Sequence, residues 1–163
     1  MFACLYGAIS WKSRYYGEMI TYLGMSAPMA AAALVNWLRH PYQDSAEVEV
    51  ARMSRKQAVL MWVCTVLVTI AFYFILRALG NASLFMSTVS ITTSFLASWL
   101  TAGRSHYYAL AYAANDVVLI ILWIMASVVQ SGNAPMIACF AMFLVNDLYG
   151  FFNWRRMMRR QSQ

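Results

Sequence analysis

Residues 136–156 read MIACFAMFLVNDLYGFFNWRR, and residues 19–39 read MITYLGMSAPMAAAALVNWLR. Each has the roughly 20 residues that an α-helix needs to cross the ~30 Å hydrocarbon core of a bilayer. Laying residue 19 on residue 136 without a gap sets Met19-Ile20 on Met136-Ile137, Met25 on Met142, Asn36-Trp37 on Asn153-Trp154 and Arg39 on Arg156. Continued upstream, the same register sets Tyr6 on Trp123. Both copies end in Asn-Trp-x-Arg, an indole followed by a cation, which is what a membrane–water boundary favours. A rival register lays LYGAISWK (5–12) on LYGFFNWR (148–155) with more local identity, but it equates a first helix with a second and matches nothing beyond. In the longer register two helices match two helices, and the chain reads as an internal repeat.

Composition places that repeat in a membrane. Of the 163 residues 62% are hydrophobic and 11% charged, and the mean hydropathy is +0.56. A soluble domain of this length has too little interior to hide so much apolar surface. The net charge of +6 does not signal a nucleic-acid partner, because the cations stand between apolar runs rather than on one basic face. Cys4, Cys64 and Cys139 lie singly inside apolar segments, without metal-ligand or disulfide spacing, and read as small buried hydrophobes. The start MFACLYGAISW lacks the basic leader and small-residue cleavage site of a signal peptide.

Five apolar stretches have spanning length: 19–38, 57–79, 84–101, 107–129 and 134–154. Residues 1–11 cover only about half of the bilayer core at ~1.5 Å per residue. Met1 would then lie near mid-membrane, where a free ammonium costs several kcal/mol, so the reading expects a missing upstream segment. Charge orients the spans. Arg155, Arg156, Arg159 and Arg160 fall on one side together with Arg104, Arg39, Arg52, Arg55 and Lys56. Only Lys12, Arg14 and Arg77 of the 12 basic residues fall on the other, so the C-terminus is expected in the cytoplasm. The polar connection RHPYQDSAEVEVARMSRK (39–56) reads as a solvated linker, and Asp44 with Glu47 at capping-box spacing suggests a short surface helix.

The expected fold class is all-α, a polytopic membrane protein built as a SWEET-like 3+1+3 bundle whose two three-helix repeats run parallel about an axis along the membrane normal. This chain would lack the first one and a half helices. Residues 1–38 would be the remnant of the first bundle, 39–56 the cytoplasmic linker, 57–79 the linking helix, 84–155 the second bundle and 156–163 a basic cytoplasmic tail.

The run YYGEMITYLGMSAPM (15–29), the segment SITTSFLASWLTAGRSHYYALAYAANDVVLIILW (90–123) and the ending FLVNDLYGFFNWRRM (143–157) resemble the bacterial nicotinamide riboside transporters of the PnuC family. The order and spacing of Glu18, Pro28, Asp116, Asn146, Tyr149, Gly150 and Trp154 carry the likeness, which covers nearly the whole chain. The resemblance implies seven spans in two three-helix bundles around one central vitamin site. It also implies facilitated diffusion, with the ligand trapped by phosphorylation in the cytoplasm. The expected setting is the bacterial plasma membrane. Related scaffolds imply thiamine, riboflavin or deoxynucleosides as alternative cargo, and a homo-oligomer is compatible with the family.

Such a ligand needs an aromatic wall for a cation-bearing ring and polar partners for its carboxamide and ribose. Polar side chains inside a span are costly and face the bundle interior or a wet cavity. On 107–129, Tyr112, Asp116 and Trp123 share a face at i, i+4 and i+11, with Asn115 at its border. On 134–154, Asn146, Tyr149 and Asn153 form a ladder at i, i+3 and i+7, and Gly150 would admit a neighbouring backbone. Thr93 and Ser94 could meet ribose hydroxyls, although such residues more often bond their own helix. Tyr22 represents the first bundle, with Glu18 beside it and Pro28 as an expected kink. Interhelical hydrogen bonding is the competing role for every member of this set, and for Trp37 and Trp154 it is an interfacial belt.

His40 and His106 have no partners at ligand spacing, and the methionines are scattered as packing residues; no metal or cofactor is expected. The spans carry only Glu18, Asp116 and Asp147 as carboxylates, read as unpaired, which argues against a membrane enzyme. No phosphate-binding Gly-rich loop supports an ATP-driven pump. An inactive fragment is the remaining alternative.

Overall fold

Helix boundaries fall where the sequence punctuates itself. Ser54 opens one helix with a full capping box, its hydroxyl accepting from the Gln57 amide while the Gln57 side chain accepts from the Ser54 amide. Pro28 and Pro135 occupy first turns, where a missing N–H leaves nothing unsatisfied. The computed structural model describes residues 2–12, 14–43, 47–129 and 132–162. Its elements are α1 (Phe2–Lys12), α2 (Tyr16–Ile20), a π-helical turn (Thr21–Ser26), α3 (Ala27–Leu38), α4 (Arg55–Ala78), α5 (Leu84–Ala102), α6 (Tyr108–Val129) and α7 (Ala134–Gln161).

Among the described residues five helical stretches are long and apolar enough to cross a membrane: Glu18–Leu38, Arg55–Ala78, Leu84–Ala102, Tyr108–Val128 and Ala134–Gln161. They coincide with the five expected spans, and the molecule is a multi-pass, all-helical membrane protein. Along α4, Val59, Trp62, Val63, Val66, Leu67 and Phe74 are exposed, as residues facing acyl chains should be. Where a kink is expected at Pro28, the helix carries a π turn, Thr21–Ser26, just before the proline.

α5 is the central post, packed against α3, α4 and α6, and α7 lies along α6. Its buried face carries Ser87, Ser90, Ser94 and Ser98 with Ile91, Phe95 and Ala97. Small residues let helix backbones approach where hydrocarbon offers no hydrophobic drive for association. On the α4 side, Thr69 and Thr92 join by a 2.8 Å hydroxyl bond. α1 folds back on α2 and the π turn, and Gly7 lies against the Leu23 side chain. A buried cluster of Tyr6, Tyr15, Leu119, Leu122, Trp123, Ala126 and Phe140 ties α1 to α6 and α7.

Two expectations change. α7 does not stop at residue 154 but continues through the basic segment to Gln161. Its 28 residues span ~42 Å, longer than the ~30 Å core, so the last turns leave the hydrocarbon, and Arg159 and Arg160 sit where the helix dipole favours cations. The described part of the linker is extended rather than helical, with one antiparallel bridge between Pro41 and Val48; Asp44, half of the expected capping box, lies outside the described residues. The linker is held instead by the end of α7. The Gln161 side chain accepts from the Val50 amide at 2.8 Å and donates to the Val48 carbonyl at 3.1 Å, as a neighbouring strand would.

The repeat register has a spatial counterpart. Tyr6 and Trp123, equated in sequence, meet through a 2.9 Å hydrogen bond from the indole to the phenol oxygen. Trp37 and Trp154, also equated, meet with ring centroids 5.1 Å apart.

Candidate functional site

Three layers follow one another through the interior. At the linker end, Trp37, Tyr108 and Trp154 form an aromatic layer, with Tyr108 centroids 5.9 Å from Trp37 and 4.8 Å from Trp154. An indole is a donor only, and Trp37 satisfies its N–H on the Thr101 carbonyl at 2.9 Å. Beside it, the Asn36 amide donates to the Ala102 carbonyl at 2.7 Å. The end of α3 is thereby stitched to the C-terminal carbonyls of α5, which no intrahelical donor satisfies.

The middle layer is polar. Asn115 is buried on α6, and its carbonyl oxygen accepts from Thr93 at 2.7 Å and Ser94 at 3.0 Å, both on α5. Tyr22, at the start of the π turn, shares a side-chain hydrogen bond with Asn115. One residue further along α6, buried Asp116 meets Asp147 of α7 within hydrogen-bonding reach. One Asp116 carboxyl oxygen is enclosed and has no hydrogen-bond partner among the described residues.

The third layer lies about two helical turns beyond Asp116, since seven residues rise ~10 Å. Fully buried Glu18 accepts from Ser90 at 3.2 Å and from Tyr6 at 3.5 Å through one oxygen, while its other oxygen is enclosed and unpartnered among the described residues. Tyr6 in turn accepts from Trp123 and packs edge-on against Tyr22 and Phe140, with centroids 4.4 and 5.3 Å away. Polar groups at this depth require partners, and here they find one another across α1, α2, α5 and α6.

Of the residues singled out from the sequence, Tyr22, Thr93, Ser94, Asn115, Asp116 and Trp123 converge on this interior. Trp123 is wholly enclosed by Tyr6, Tyr15 and their neighbours. Tyr112 is half-buried at the edge, beside Tyr108. Asn146, Tyr149 and Asn153 do share one stripe, but it is an exposed face of α7, with Tyr149 72% accessible. The inward stripe of α7 is set one residue over, through Phe140, Phe143, Asp147, Gly150 and Trp154. Asp116 and Asp147 are therefore paired, contrary to the reading of isolated carboxylates. Gly150 is less constrained than expected, since a methyl there would stand at an ordinary 3.7 Å from the Ala109 side chain. Asp147 was legible in one signal: it lies seven residues before Trp154, on the same helical face, while Trp154 has its equivalent in Trp37. Among the described residues no group of three or more His, Cys, Asp or Glu side chains could hold a metal ion.

Residues 1–156 match the model of the family described as nicotinamide mononucleotide transporter. The chain is 24% identical over 163 residues to a Neisseria mucosa protein named nicotinamide riboside transporter PnuC, covering 97% of this chain and 62% of the relative. A Haemophilus influenzae protein of the same name is 25% identical over 165 residues, covering 99% of this chain and 70% of the relative. The crystal structure of the vitamin B3 transporter PnuC matches with a TM-score of 0.83 at 24% identity, covering 98% of this chain and 70% of that one. The chain thus spans about two thirds of the length of these relatives.

Proposed function

Because the chain belongs to the nicotinamide mononucleotide transporter family, we propose that it carries nicotinamide riboside, or a closely related vitamin or nucleoside, across a bacterial plasma membrane. The observation that carries this reading is the polar layer of Tyr22, Asn115, Thr93, Ser94, Asp116 and Asp147, closed above and below by aromatic layers. Nicotinamide riboside bears a pyridinium cation, a carboxamide and ribose hydroxyls. The Asp116–Asp147 pair supplies negative charge for the ring, and the enclosed Asp116 oxygen offers an acceptor for a ligand hydroxyl or amide. Asn115 and the two α5 hydroxyls match the ribose, and Tyr22, Tyr108 and Tyr112 supply the π faces that attract a cation.

Transport by this arrangement is facilitated diffusion in which the two aromatic layers open in turn, with phosphorylation in the cytoplasm holding the cargo inside. The parallel 3+1+3 repeat is supported by the meeting of Tyr6 with Trp123 and of Trp37 with Trp154, because equivalent residues of two repeats touch only near the axis that relates them. In this reading residues 1–38 belong to the first bundle, 39–56 form the linker, 57–79 the linking helix and 84–155 the second bundle, with 156–163 continuing α7. The C-terminus and linker face the cytoplasm, supported by the basic residues gathered at that end. Asn146, Tyr149 and Asn153 require a protein or aqueous neighbour, since acyl chains cannot satisfy them, and they remain proposed ligand contacts on that second surface.

Tryptophan fluorescence of the purified protein in detergent, titrated with nicotinamide riboside, tests the proposal. Saturable quenching whose midpoint shifts about tenfold to higher ligand in Asp116→Ala supports it. Absence of quenching by nicotinamide riboside, thiamine, riboflavin and deoxynucleosides in a folded preparation, together with no uptake into proteoliposomes, overturns it.

A further inference from the structure

Two cavities of about 520 and 570 Å³ lie side by side beneath the linker and share Ala51, Arg52 and Met53. The first is walled by Met61 of α4, Leu100 of α5 and Met158 of α7, and closed by His106. The second reaches Leu60, Trp99 and Arg104. Leu60 also belongs to a groove of about 420 Å³ on the outer side of α4, which begins at Arg55 and Lys56 and runs along Val59 and Val63. A basic mouth therefore continues into an apolar furrow on the lipid-facing surface of a spanning helix.

Among the described residues the cations at this mouth other than Arg104 lack carboxylate partners. Of the described linker acids, Glu47 pairs with Arg160 at 2.7 Å, and Glu49 pairs with Arg104 of the mouth itself at 3.4 Å, leaving the Arg104 Nε side for another acceptor. Among the described residues no ion pair reaches Arg52, Arg55, Lys56 or Arg155. Two polar atoms facing this region, Arg104 Nε and His106 Nδ1, are enclosed and have no hydrogen-bond partner among the described residues. His106 is harder to protonate than an ordinary histidine, first because it is buried and then because Arg155 and Arg52 stand near it. Enclosed donors, unpaired cations and an apolar furrow together describe the complement of an amphiphilic anion.

We propose that this end of the molecule binds an anionic glycerophospholipid, its phosphate held between Arg52, His106 and Arg104 and its acyl chains laid along the α4 groove. Basic pockets between spanning helices at a membrane surface recognise such headgroups. A soluble phosphate compound would leave Val59, Leu60 and Val63 without a counterpart, whereas a lipid uses both halves of the site. Bound there, the lipid bridges the linker to α4, α5 and α7 at the edge of the linker-end aromatic layer. The site depends only on the membrane setting and stands apart from the choice of cargo.

Native mass spectrometry of the detergent-purified protein with phosphatidylglycerol or phosphatidylcholine of matched chains tests it. Phosphatidylglycerol should be retained in preference to phosphatidylcholine. Arg52→Gln should weaken its binding about fivefold, the scale of one surface cation, and His106→Gln, which removes one imidazole hydrogen bond and no charge, should weaken it measurably but by less. Leu60→Gln should weaken it without a change of charge. Arg77→Gln, which removes a cation at the opposite end, should not. Equal binding of the two lipids, an Arg77→Gln loss as large as that of Arg52→Gln, or equal displacement by glycerol phosphate alone would overturn the proposal. Size-exclusion chromatography and helical circular dichroism identify folded variants, and should Arg52→Gln misfold, His106→Gln and Leu60→Gln decide.

Discussion

Tyr6→Phe removes one oxygen from the interior and little else. The ring keeps its edge contacts with Tyr22 and Phe140 at 4.4 and 5.3 Å, so packing is conserved. What is lost is the acceptor for the Trp123 indole at 2.9 Å and a donor to Glu18 at 3.5 Å, the latter at the limit of a useful bond. Trp123 is wholly buried, so its N–H is left orphaned, at a cost of about 1–3 kcal/mol. In membranes the average side-chain pair contributes only ~0.6 kcal/mol, because the unfolded chain also finds partners. Together these place the loss near ~1.5 kcal/mol, or a Tm drop of roughly 3–6 °C at ~2–4 °C per kcal/mol for a chain of this size. A double-mutant cycle with Trp123→Phe isolates the bond, followed by far-ultraviolet circular dichroism during unfolding in detergent. Once the indole is gone, Tyr6→Phe should cost ~1 kcal/mol less than in the parent. A Tyr6→Phe protein as stable as the parent, or additive double mutants, would show that this layer is held by packing alone.

Asp116→Ala and Asn115→Ala should each weaken nicotinamide riboside binding about tenfold, the ~1.4 kcal/mol scale of one hydrogen bond in a closed site; unchanged affinity in both, by calorimetry or fluorescence, would remove the proposed lining. Gln161→Ala should speed hydrogen exchange at the Val50 amide, from which its side chain accepts, whereas Glu47→Gln should leave that amide unchanged, since its exposed pair with Arg160 contributes little. His106 has a lowered pKa in the fold, so the unfolded chain binds the proton more readily; stability from this residue is fully present above the unfolded value of about 6.5 and is lost as pH falls from there through the lower folded value. Thermal scans from neutral to mildly acidic pH should therefore show a smaller decline in His106→Gln, and an identical decline would dismiss the effect.

The spans, their order and the polar middle of α5 and α6 were legible because hydropathy and helical phase are local properties of the sequence. Asn115 and Asp116 face inward as adjacent polar residues in an apolar run must, if both are to avoid lipid. The phase of α7 was harder to read. Asn146, Asp147, Tyr149 and Asn153 offer two polar stripes one residue apart, and only the packing of Phe140 and Trp154 decides that Asp147 turns in. The Glu18–Tyr6–Trp123 chain was illegible for a different reason: it joins α1 and α2 to α6, with 117 residues between phenol and indole, and no local pattern marks a hydrogen bond from residue 123 to residue 6. The linker misled because its partner is the side chain of Gln161, on a helix expected to have ended earlier.

The two aromatic layers differ in what closes them, and the difference follows from donor chemistry. A Tyr–Trp pair can bond internally, because a phenol accepts what an indole donates, and the phenol's own hydrogen then reaches Glu18. A Trp–Trp pair cannot, since both members only donate. Trp37 must seek an acceptor outside the pair, and it finds the Thr101 carbonyl at the end of α5, where Asn36 also binds Ala102. Opening the Tyr6–Trp123 layer breaks a side-chain chain inside the bundle. Opening the Trp37–Trp154 layer moves the end of α3 away from α5, beneath a linker tied to Arg104 and Gln161. Layers closed by separate sets of bonds can open separately, and in the proposed transport cycle the polar site between them would then meet one side of the membrane at a time.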